Sequence, residues 1–188
     1  MRAVVLAFLV VLPAVARGDD AAVVQALRDG GVAVLMRHTK TTPGAGDPPG
    51  WRPDQCATQR NLDAEGRAHA RRIGAWFERH RVAPTVVRSS PWCRARDTAR
   101  LAFGAAEDWA ALANVYEDRG PEKRNAEEVR RYVAGLRRGE RAVLVSHGVT
   151  IFAIAGEHPA MGEGIVVRAA PRDGGEPGLV IVGRIVVP

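Results

Sequence analysis

Residues 32–39 have the sequence VAVLMRHT and residues 142–148 have the sequence AVLVSHG, so a histidine follows a short apolar run in each stretch. Short continuous runs of Val, Leu and Ala are typical of strands buried on both faces of a parallel sheet. In α/β folds of this kind, ligands bind at the carboxyl ends of the strands. The two stretches therefore predict an α/β fold with His38 and His147 at its ligand-binding edge.

A third predicted strand end supplies another basic group. Residues 85–90, TVVRSS, favour a strand, and Arg94 follows it within SSPWCRARDTA, residues 89–99. Arg37 directly precedes His38. The planar guanidinium of arginine binds phosphate in a bidentate manner, and histidine is a common nitrogen nucleophile and proton carrier. Together these residues predict phosphoryl transfer through a phosphohistidine.

Helical periodicity between the strands predicts the remaining elements. The segment from Thr39 to Gln59 is rich in Gly, Pro and Asp without periodicity, which predicts a long loop at the active site. Asn125 and Glu128 have the spacing of a capping box, which predicts that a helix opens at Asn125 and ends at Gly139. The other expected elements are helices over 20–29, from 63 onward and over 92–103, strands over 32–36, 85–88 and 141–146, and a closing hairpin of 165–167 with 179–187.

The amino-terminal residues predict export. A short basic start, an apolar run from Ala3 to Leu12 and small residues up to Ala16 are typical of a secretory signal peptide over 1–16, cleaved between 16 and 18. An uncleaved membrane anchor is the alternative. The 188 residues are 46% hydrophobic, which suits one core, so we expect a single domain over 20–188. The mature protein is expected to be periplasmic or secreted, without stable membrane insertion.

The two cysteines and the net charge limit the candidate partners. Cys56 and Cys93 in an exported chain predict a disulfide, and the alternative is two unpaired small buried residues. The formal net charge is +6, but the arginines are spread along the predicted helices and do not form one run with interleaved aromatic residues. This distribution argues against nucleic acid and favours anionic substrates or an anionic envelope surface.

Four motifs in order resemble those of the histidine phosphatase superfamily. They are VAVLMRHT, QRNLDAEGRAHA at residues 59–70, SSPWCRARDTA and VLVSHG. The resemblance implies a three-layer αβα sandwich with a mostly parallel central sheet, as in phosphoglycerate mutase-like proteins, and looks closest to the small exported SixA-like members. It implies a metal-independent phosphatase without a cofactor. The expected substrate is a small phosphorylated molecule or a phosphorylated envelope component.

The resemblance also assigns roles to the basic residues. His38 is the expected nucleophile, which attacks phosphorus and gives a phosphoenzyme that water hydrolyses. Arg37 and Arg94 are expected to clamp the phosphoryl oxygens, and His147 to donate to one of them. Arg60 matches a third basic position and is expected to bind substrate, and the alternative is a loop arginine or a partner for Asp63 or Glu65.

Two positions make the resemblance incomplete. Glu117, in VYEDRG at residues 115–120, lies roughly where relatives place the acid that protonates the leaving group, and a solvated loop carboxylate is the alternative. Thr39 stands where the family usually has glycine, and a β-branched residue there restricts the backbone and crowds the pocket. The Thr39 hydroxyl is alternatively expected to bind the phosphate.

These departures leave three functional hypotheses. The first is an exported phosphatase that acts on a phosphomonoester or phosphoramidate through phospho-His38. The second is a catalytically weak phosphate-binding or anion-binding protein of the same fold. The third, a mutase, requires a phosphoenzyme that outlasts substrate exchange, and a short chain without obvious lid insertions favours hydrolysis. No pair of cysteine and histidine residues has the spacing of metal ligands, so no metal is expected.

Overall fold

A six-stranded sheet lies at the centre of the computed structural model, which describes residues 18–170, 175 and 177–188. The strand order is β3-β2-β4-β1-β5-β6. The strands are β1 (Val32–Arg37), β2 (Val86–Ser89), β3 (Glu107–Asp108), β4 (Arg141–Ser146), β5 (Gly164–Ala170) and β6 (Gly178–Ile185). The helices are α1 (Gly18–Asp29), α2 (Ala64–His80), α3 (Cys93–Phe103), α4 (Glu122–Ala134) and α5 (Gly148–Ala155).

The parallel pairing of β1 with β4 brings the two histidines together. Leu35 faces Leu144 and Arg37 faces Ser146 in this register, so both strands end at the same level. The backbone N–H of His38 donates to the carbonyl of Ser146 at 3.0 Å, which extends the pairing by one residue. The sheet register therefore fixes the relative position of the two strand ends.

Both faces of the sheet are covered, which explains the continuous apolar runs. Because strand side chains alternate between the faces, Val34 and Met36 pack with α1, α2 and α3, whereas Ala33 and Leu35 pack with α4 and α5. Strands β1, β2, β3 and β4 pair in parallel, and β5 and β6 are antiparallel. The predicted three-layer αβα fold with a mostly parallel sheet is confirmed.

Helix α2 begins after Asp63, the residue that the sequence predicts as its N-cap. The Asp63 side chain accepts a hydrogen bond from the backbone N–H of Gly66 at 2.7 Å, which satisfies one of the free donors at the start of α2. Gly66 is required there for a second reason. A Cβ atom at this position would lie 1.9 Å from the carbonyl oxygen of Lys40, so only glycine lets α2 approach the chain that follows β1.

The predicted bounds of α4 were wrong at both ends. Asn125 lies inside the helix and is buried, and Pro121 is the N-cap. Proline suits a helix start because the first N–H groups of a helix have no partner within it. The carboxyl end comes at Ala134 with Gly135 as cap, so the helix stops before Gly139, which has a φ of +86° in the turn that leads to β4.

Two predicted elements lie at the ends of the chain, a carboxyl-terminal hairpin and an amino-terminal signal peptide. The expected closing hairpin is present as β5 and β6. The predicted signal peptide over 1–16 lies outside the described residues. Within the part of the chain that the structure describes, no helix is long and apolar enough to cross a membrane.

Candidate active site

The carboxyl ends of β1 and β4 open into a pocket of about 330 Å³. Five residues predicted for the site line it, namely Arg37, His38, Arg60, Arg94 and His147. The other lining residues come from the loop after β1, from the chain before α4, from α5 and from the turn before β5. They are Gly44, Ala45, Gly46, Asn114, Tyr116, Gly148, Val149, His158 and Met161.

His38 is buried, and its ring is held in one tautomer. Nδ1 lies 2.8 Å from the carbonyl oxygen of Thr39, and a carbonyl only accepts, so Nδ1 carries the proton. Burial, together with the charges of Arg94, Arg37 and Arg60, lowers the pKa of His38 to about 3. The ring is therefore neutral at physiological pH with a lone pair on Nε2, which is the state that a nucleophile requires.

His147 lies beside His38, with the two ring centroids 5.4 Å apart. Its Nε2 is 2.8 Å from the hydroxyl oxygen of Ser90, and that oxygen accepts the backbone N–H of Trp92 at 3.3 Å. Burial and the neighbouring His38, Arg94, Arg37 and Arg60 hold the pKa of His147 well below its usual range. Both rings are thus neutral, and the positive charge of the pocket comes from the arginines.

Arg94 is 1% exposed and forms an ion pair with Asp47, a residue of the long loop. Nη1 and Nη2 donate to the two carboxylate oxygens at 2.7 and 3.2 Å, and Nη1 also donates to the carbonyl of Arg60 at 3.4 Å. Nε is buried and has no partner among the described residues. The edge of the guanidinium formed by Nε and the second N–H of Nη2 is therefore left for a ligand.

Asp47 organises the pocket from the loop side. Its carboxylate accepts from the backbone N–H of Arg60 at 2.9 Å and from Trp92 Nε1 at 3.0 Å, in addition to Arg94. Burial alone would raise the pKa of Asp47, but the hydrogen bonds from Arg94 and Arg60 and the charge of Arg94 lower it overall. Asp47 is therefore ionised at neutral pH.

Arg37 is held by a backbone carbonyl of the chain before β5. Its Nη1 donates to the carbonyl of Pro159 at 3.1 Å, and its buried Nε has no partner in the described part of the chain. The guanidinium packs against Gly148, where a Cβ would lie 3.4 Å from Cζ. Gly148 begins α5, whose free N–H groups face the same pocket and add partial positive charge.

Arg60 is fixed by the loop after β1. Its Nε donates to the carbonyl of Gly46 at 2.8 Å, and its Nη1 donates to the hydroxyl of Thr41. Burial and the nearby charge of Arg94 lower the pKa of Arg60 from its ordinary value. Arg60 lines the pocket, and among the described residues Asp63 pairs with Lys40 and Glu65 with Arg72, so neither is a partner of Arg60.

The predicted disulfide between Cys56 and Cys93 is present, and the Cα atoms are 5.6 Å apart. Cys93 directly precedes Arg94, and its backbone N–H donates to Gln59 Oε1 at 3.0 Å. The bond therefore fastens the end of the long loop to the start of α3 beside the pocket.

Thr39 and Glu117 lie outside the pocket lining. Thr39 is fully buried, its N–H donates to Thr98 Oγ1 at 3.1 Å, and its hydroxyl lies 3.2 Å from the same oxygen. Glu117 is exposed, accepts from Trp51 Nε1 at 3.1 Å and lines a neighbouring cavity. Its Oε1 lies close to Gly46, which lines the pocket, so the Glu117 carboxylate lies at the rim of the pocket.

Several functional positions had no recognisable signal in the sequence. Asp47 lies in the turn-rich loop, where an aspartate before two prolines is ordinary turn chemistry. Asn114, Tyr116 and His158 reach the pocket from irregular segments, and His158 stacks on Phe152 at 4.3 Å between ring centroids. Among the described residues, no three His, Cys, Asp or Glu side chains are grouped so that they could hold a metal ion.

Comparison with known proteins supports the same interpretation. The sequence matches the model of the histidine phosphatase superfamily, branch 1, over residues 33–119. No curated protein matches it.

Three solved structures share the fold at low sequence identity. The putative phosphohistidine phosphatase SixA from Agrobacterium tumefaciens is 17% identical with a TM-score of 0.55, over 82% of this chain and 97% of that one. YhfR from Bacillus stearothermophilus is 17% identical with a TM-score of 0.54, over 80% of this chain and 95% of that one. The mycobacterial glucosyl-3-phosphoglycerate phosphatase is 16% identical with a TM-score of 0.52, over 74% of this chain and 89% of that one. The motifs, the fold and the family match over residues 33–119 agree, and they support assignment of the chain to the histidine phosphatase superfamily.

Proposed function

We propose that this protein is an exported, metal-independent phosphatase that hydrolyses a phosphomonoester or phosphoramidate through a phosphohistidine on His38. One observation carries the proposal. A neutral histidine with a free Nε2 lines a pocket in which Arg37 and Arg94 each have a buried Nε without a partner in the described structure. Buried donors without partners are costly, and a phosphoryl group would satisfy both.

The first chemical step forms the phosphoenzyme. The lone pair of His38 Nε2 attacks phosphorus, the new N–P bond forms, and the bond from phosphorus to the leaving oxygen or nitrogen breaks. Arg37, Arg94 and Arg60 hold the equatorial oxygens, where negative charge is greatest. In the second step water attacks phosphorus, the N–P bond breaks, and phosphate leaves with His38 restored.

His147 is proposed to donate a hydrogen bond to a phosphoryl oxygen as a neutral ring. Ser90 Oγ accepts the N–H of Trp92, so its own proton is free to point at His147 Nε2. This arrangement puts the ring proton of His147 on Nδ1, which supplies the donor. The lowered pKa of His147 favours this neutral form.

Glu117 is our candidate for the acid that protonates the leaving group. It is exposed at the rim beside Gly46 and lines the neighbouring cavity. The disulfide supports the exported part of the proposal, because such bonds persist in oxidising compartments.

A second candidate function is a phosphate-binding protein with little turnover. The position of Glu117 outside the pocket lining favours it, since a poor leaving group then departs without a proton.

Phosphoenzyme trapping separates the two functions. The mature protein is exposed briefly to ³²P-labelled acetyl phosphate and quenched in base, and His38→Ala serves as the matched variant. We expect an acid-labile, base-stable label on the wild type and none on His38→Ala. Tight binding of inorganic phosphate without label would support the binding protein instead.

A further inference from the structure

A second cavity, of about 200 Å³, adjoins the phosphate pocket. Asn114 lines both, and the Trp92 ring lies 5.8 Å from that of His147, so the two spaces share a wall. The cavity is lined by Trp51, Trp92, Ala113, Asn114, Glu117, Asp118 and Pro121. The cavity is therefore the space next to the phosphate pocket on the side of Asn114.

The two indoles offer flat apolar faces and no free hydrogen-bond donor. Trp51 Nε1 donates to Glu117 Oε2, and Trp92 Nε1 donates to Asp47 Oδ2. The rings lie 5.2 Å apart with an angle of 42° between their planes. Because both N–H groups are already used, contact with a ligand occurs through the ring faces, which suit C–H groups.

Polar groups on the same wall are mostly acceptors. Glu117 and Asp118 present exposed carboxylates, and each has an oxygen beyond the one that accepts from Trp51 or from the N–H of Gly120. Asn114 accepts the N–H of Tyr116 through Oδ1, which leaves its amide N–H groups available. Carboxylates accept hydroxyl donors well but repel other anions.

We infer that this cavity, the polyol subsite, binds the leaving group of the substrate, and that the leaving group is a neutral sugar or polyol. The inference rests on the proposed function and narrows it to one substrate class. A sugar combines C–H faces for Trp51 with hydroxyls for Asp118 and Asn114. A leaving group that carries its own carboxylate or phosphate would meet the negative charge of Asp118 at the subsite.

The test compares three substrates with the mature protein. Glucose 6-phosphate carries a neutral sugar, 6-phosphogluconate adds a carboxylate to the same carbon skeleton, and acetyl phosphate is too small to fill the subsite. We expect kcat/KM for glucose 6-phosphate to exceed that for 6-phosphogluconate at least about tenfold. Asp118→Asn, which retains the oxygen facing Gly120, is expected to reduce this ratio about threefold or more.

Trp51 tests the stacking contribution. Trp51→Leu is expected to lower kcat/KM for glucose 6-phosphate about tenfold and that for acetyl phosphate less than about threefold, whereas Trp51→Phe restores most of the loss. Trp109→Phe is the matched control, because Trp109 lies away from both cavities and bonds Glu128.

Equal losses on the two substrates in Trp51→Leu, or a wild-type preference for 6-phosphogluconate, would overturn the polyol subsite while leaving the phosphatase assignment intact. Failure to hydrolyse acetyl phosphate together with both sugar phosphates would overturn the two proposals together.

Discussion

The phosphate pocket has two walls that are built in different ways. The strand wall consists of Arg37, His38, His147 and Gly148, at the ends of β1 and β4 and the start of α5. The loop wall consists of Gly44, Ala45, Gly46 and Arg60 in the chain between β1 and α2, and it is held by Asp47 and by the disulfide from Cys56. Sheet register positions the first wall, whereas side-chain hydrogen bonds and a disulfide position the second. The strand wall should therefore control the chemical step, and the loop wall substrate affinity.

Arg94 joins the two walls, so its removal should have the largest effect. In Arg94→Ala, Asp47 is left buried and unpaired, and we expect the free energy of unfolding to fall by about 3–5 kcal/mol. The loss of phosphoryl contacts should lower kcat/KM for an aryl phosphate about 10³-fold. Urea unfolding and steady-state kinetics measure the two effects.

A double variant distinguishes stability from activity at this position. Arg94→Ala combined with Asp47→Ala removes both charges and should recover much of the stability without the activity. The exposed Arg100→Ala on the same helix is the control. Recovery of activity in the double variant would contradict the assignment of Arg94 to substrate.

The disulfide should matter for the loop wall and little for the strand wall. Opening a loop of this length, with the two cysteines 37 positions apart in the sequence, is expected to cost about 4 kcal/mol of stability in the chain-entropy model. We expect Cys56→Ser with Cys93→Ser to raise KM about tenfold and change kcat less than about threefold. Urea unfolding and kinetics with and without reductant check this, and an unchanged KM would show that the loop wall holds its shape without the bond.

The two buried histidines predict a stability that decreases at mildly acidic pH. In the native state His38 stays neutral down to about pH 3, and His147 is likewise held neutral, whereas both titrate near 6.5 in the unfolded chain. Below pH 6.5 the unfolded state thus binds protons that the native state does not. We expect a loss of about 1 kcal/mol per pH unit for each histidine.

Urea unfolding between pH 7 and 5 in phosphate-free buffer measures this dependence. His147→Asn, which cannot titrate, should show about half the slope. An equal slope in the variant would mean that other groups set the pH dependence.

Asp47→Asn tests the loop wall with a smaller change. The amide nitrogen would face Trp92 Nε1 or an Arg94 donor, so Arg94 and Arg60 should be held less well. We expect KM and the Kd of inorganic phosphate to rise about tenfold, with kcat within about threefold. Asp54→Asn, whose partner is the exposed Arg52, is the control. A fall in kcat at constant KM would place Asp47 in the chemical step.

Thr39→Gly should have the smallest effect on activity. Thr39 bonds Thr98 and does not line the pocket, so its removal opens no space beside the phosphoryl group. We expect kcat/KM for an aryl phosphate to change less than about threefold. A large increase would restore the idea that a β-branched residue here crowds the substrate.

The same contrast explains what the sequence could predict. Periodicity and apolar runs locate His38, His147 and Arg94 because strand ends converge through regular pairing, which depends on local pattern. Asp47 and Trp51 lie in a segment without periodicity, and their contacts depend on how the loop folds back over α3. The error in α4 has a related cause, since the capping pair of Asn125 and Glu128 also occurs inside a helix, where Asn125 is buried by tertiary packing.

The ion pair between Asp47 and Arg94 also sets the electrical balance of the pocket. With both histidines neutral, Arg37, Arg60 and Arg94 against one carboxylate leave two positive charges. A phosphomonoester above its second pKa of about 6 carries two negative charges, so the occupied pocket is neutral without the transfer of a proton. A phosphodiester carries only one negative charge, so it would leave one positive charge of the pocket without compensation. On this charge balance, the proposed phosphatase should prefer monoesters to diesters.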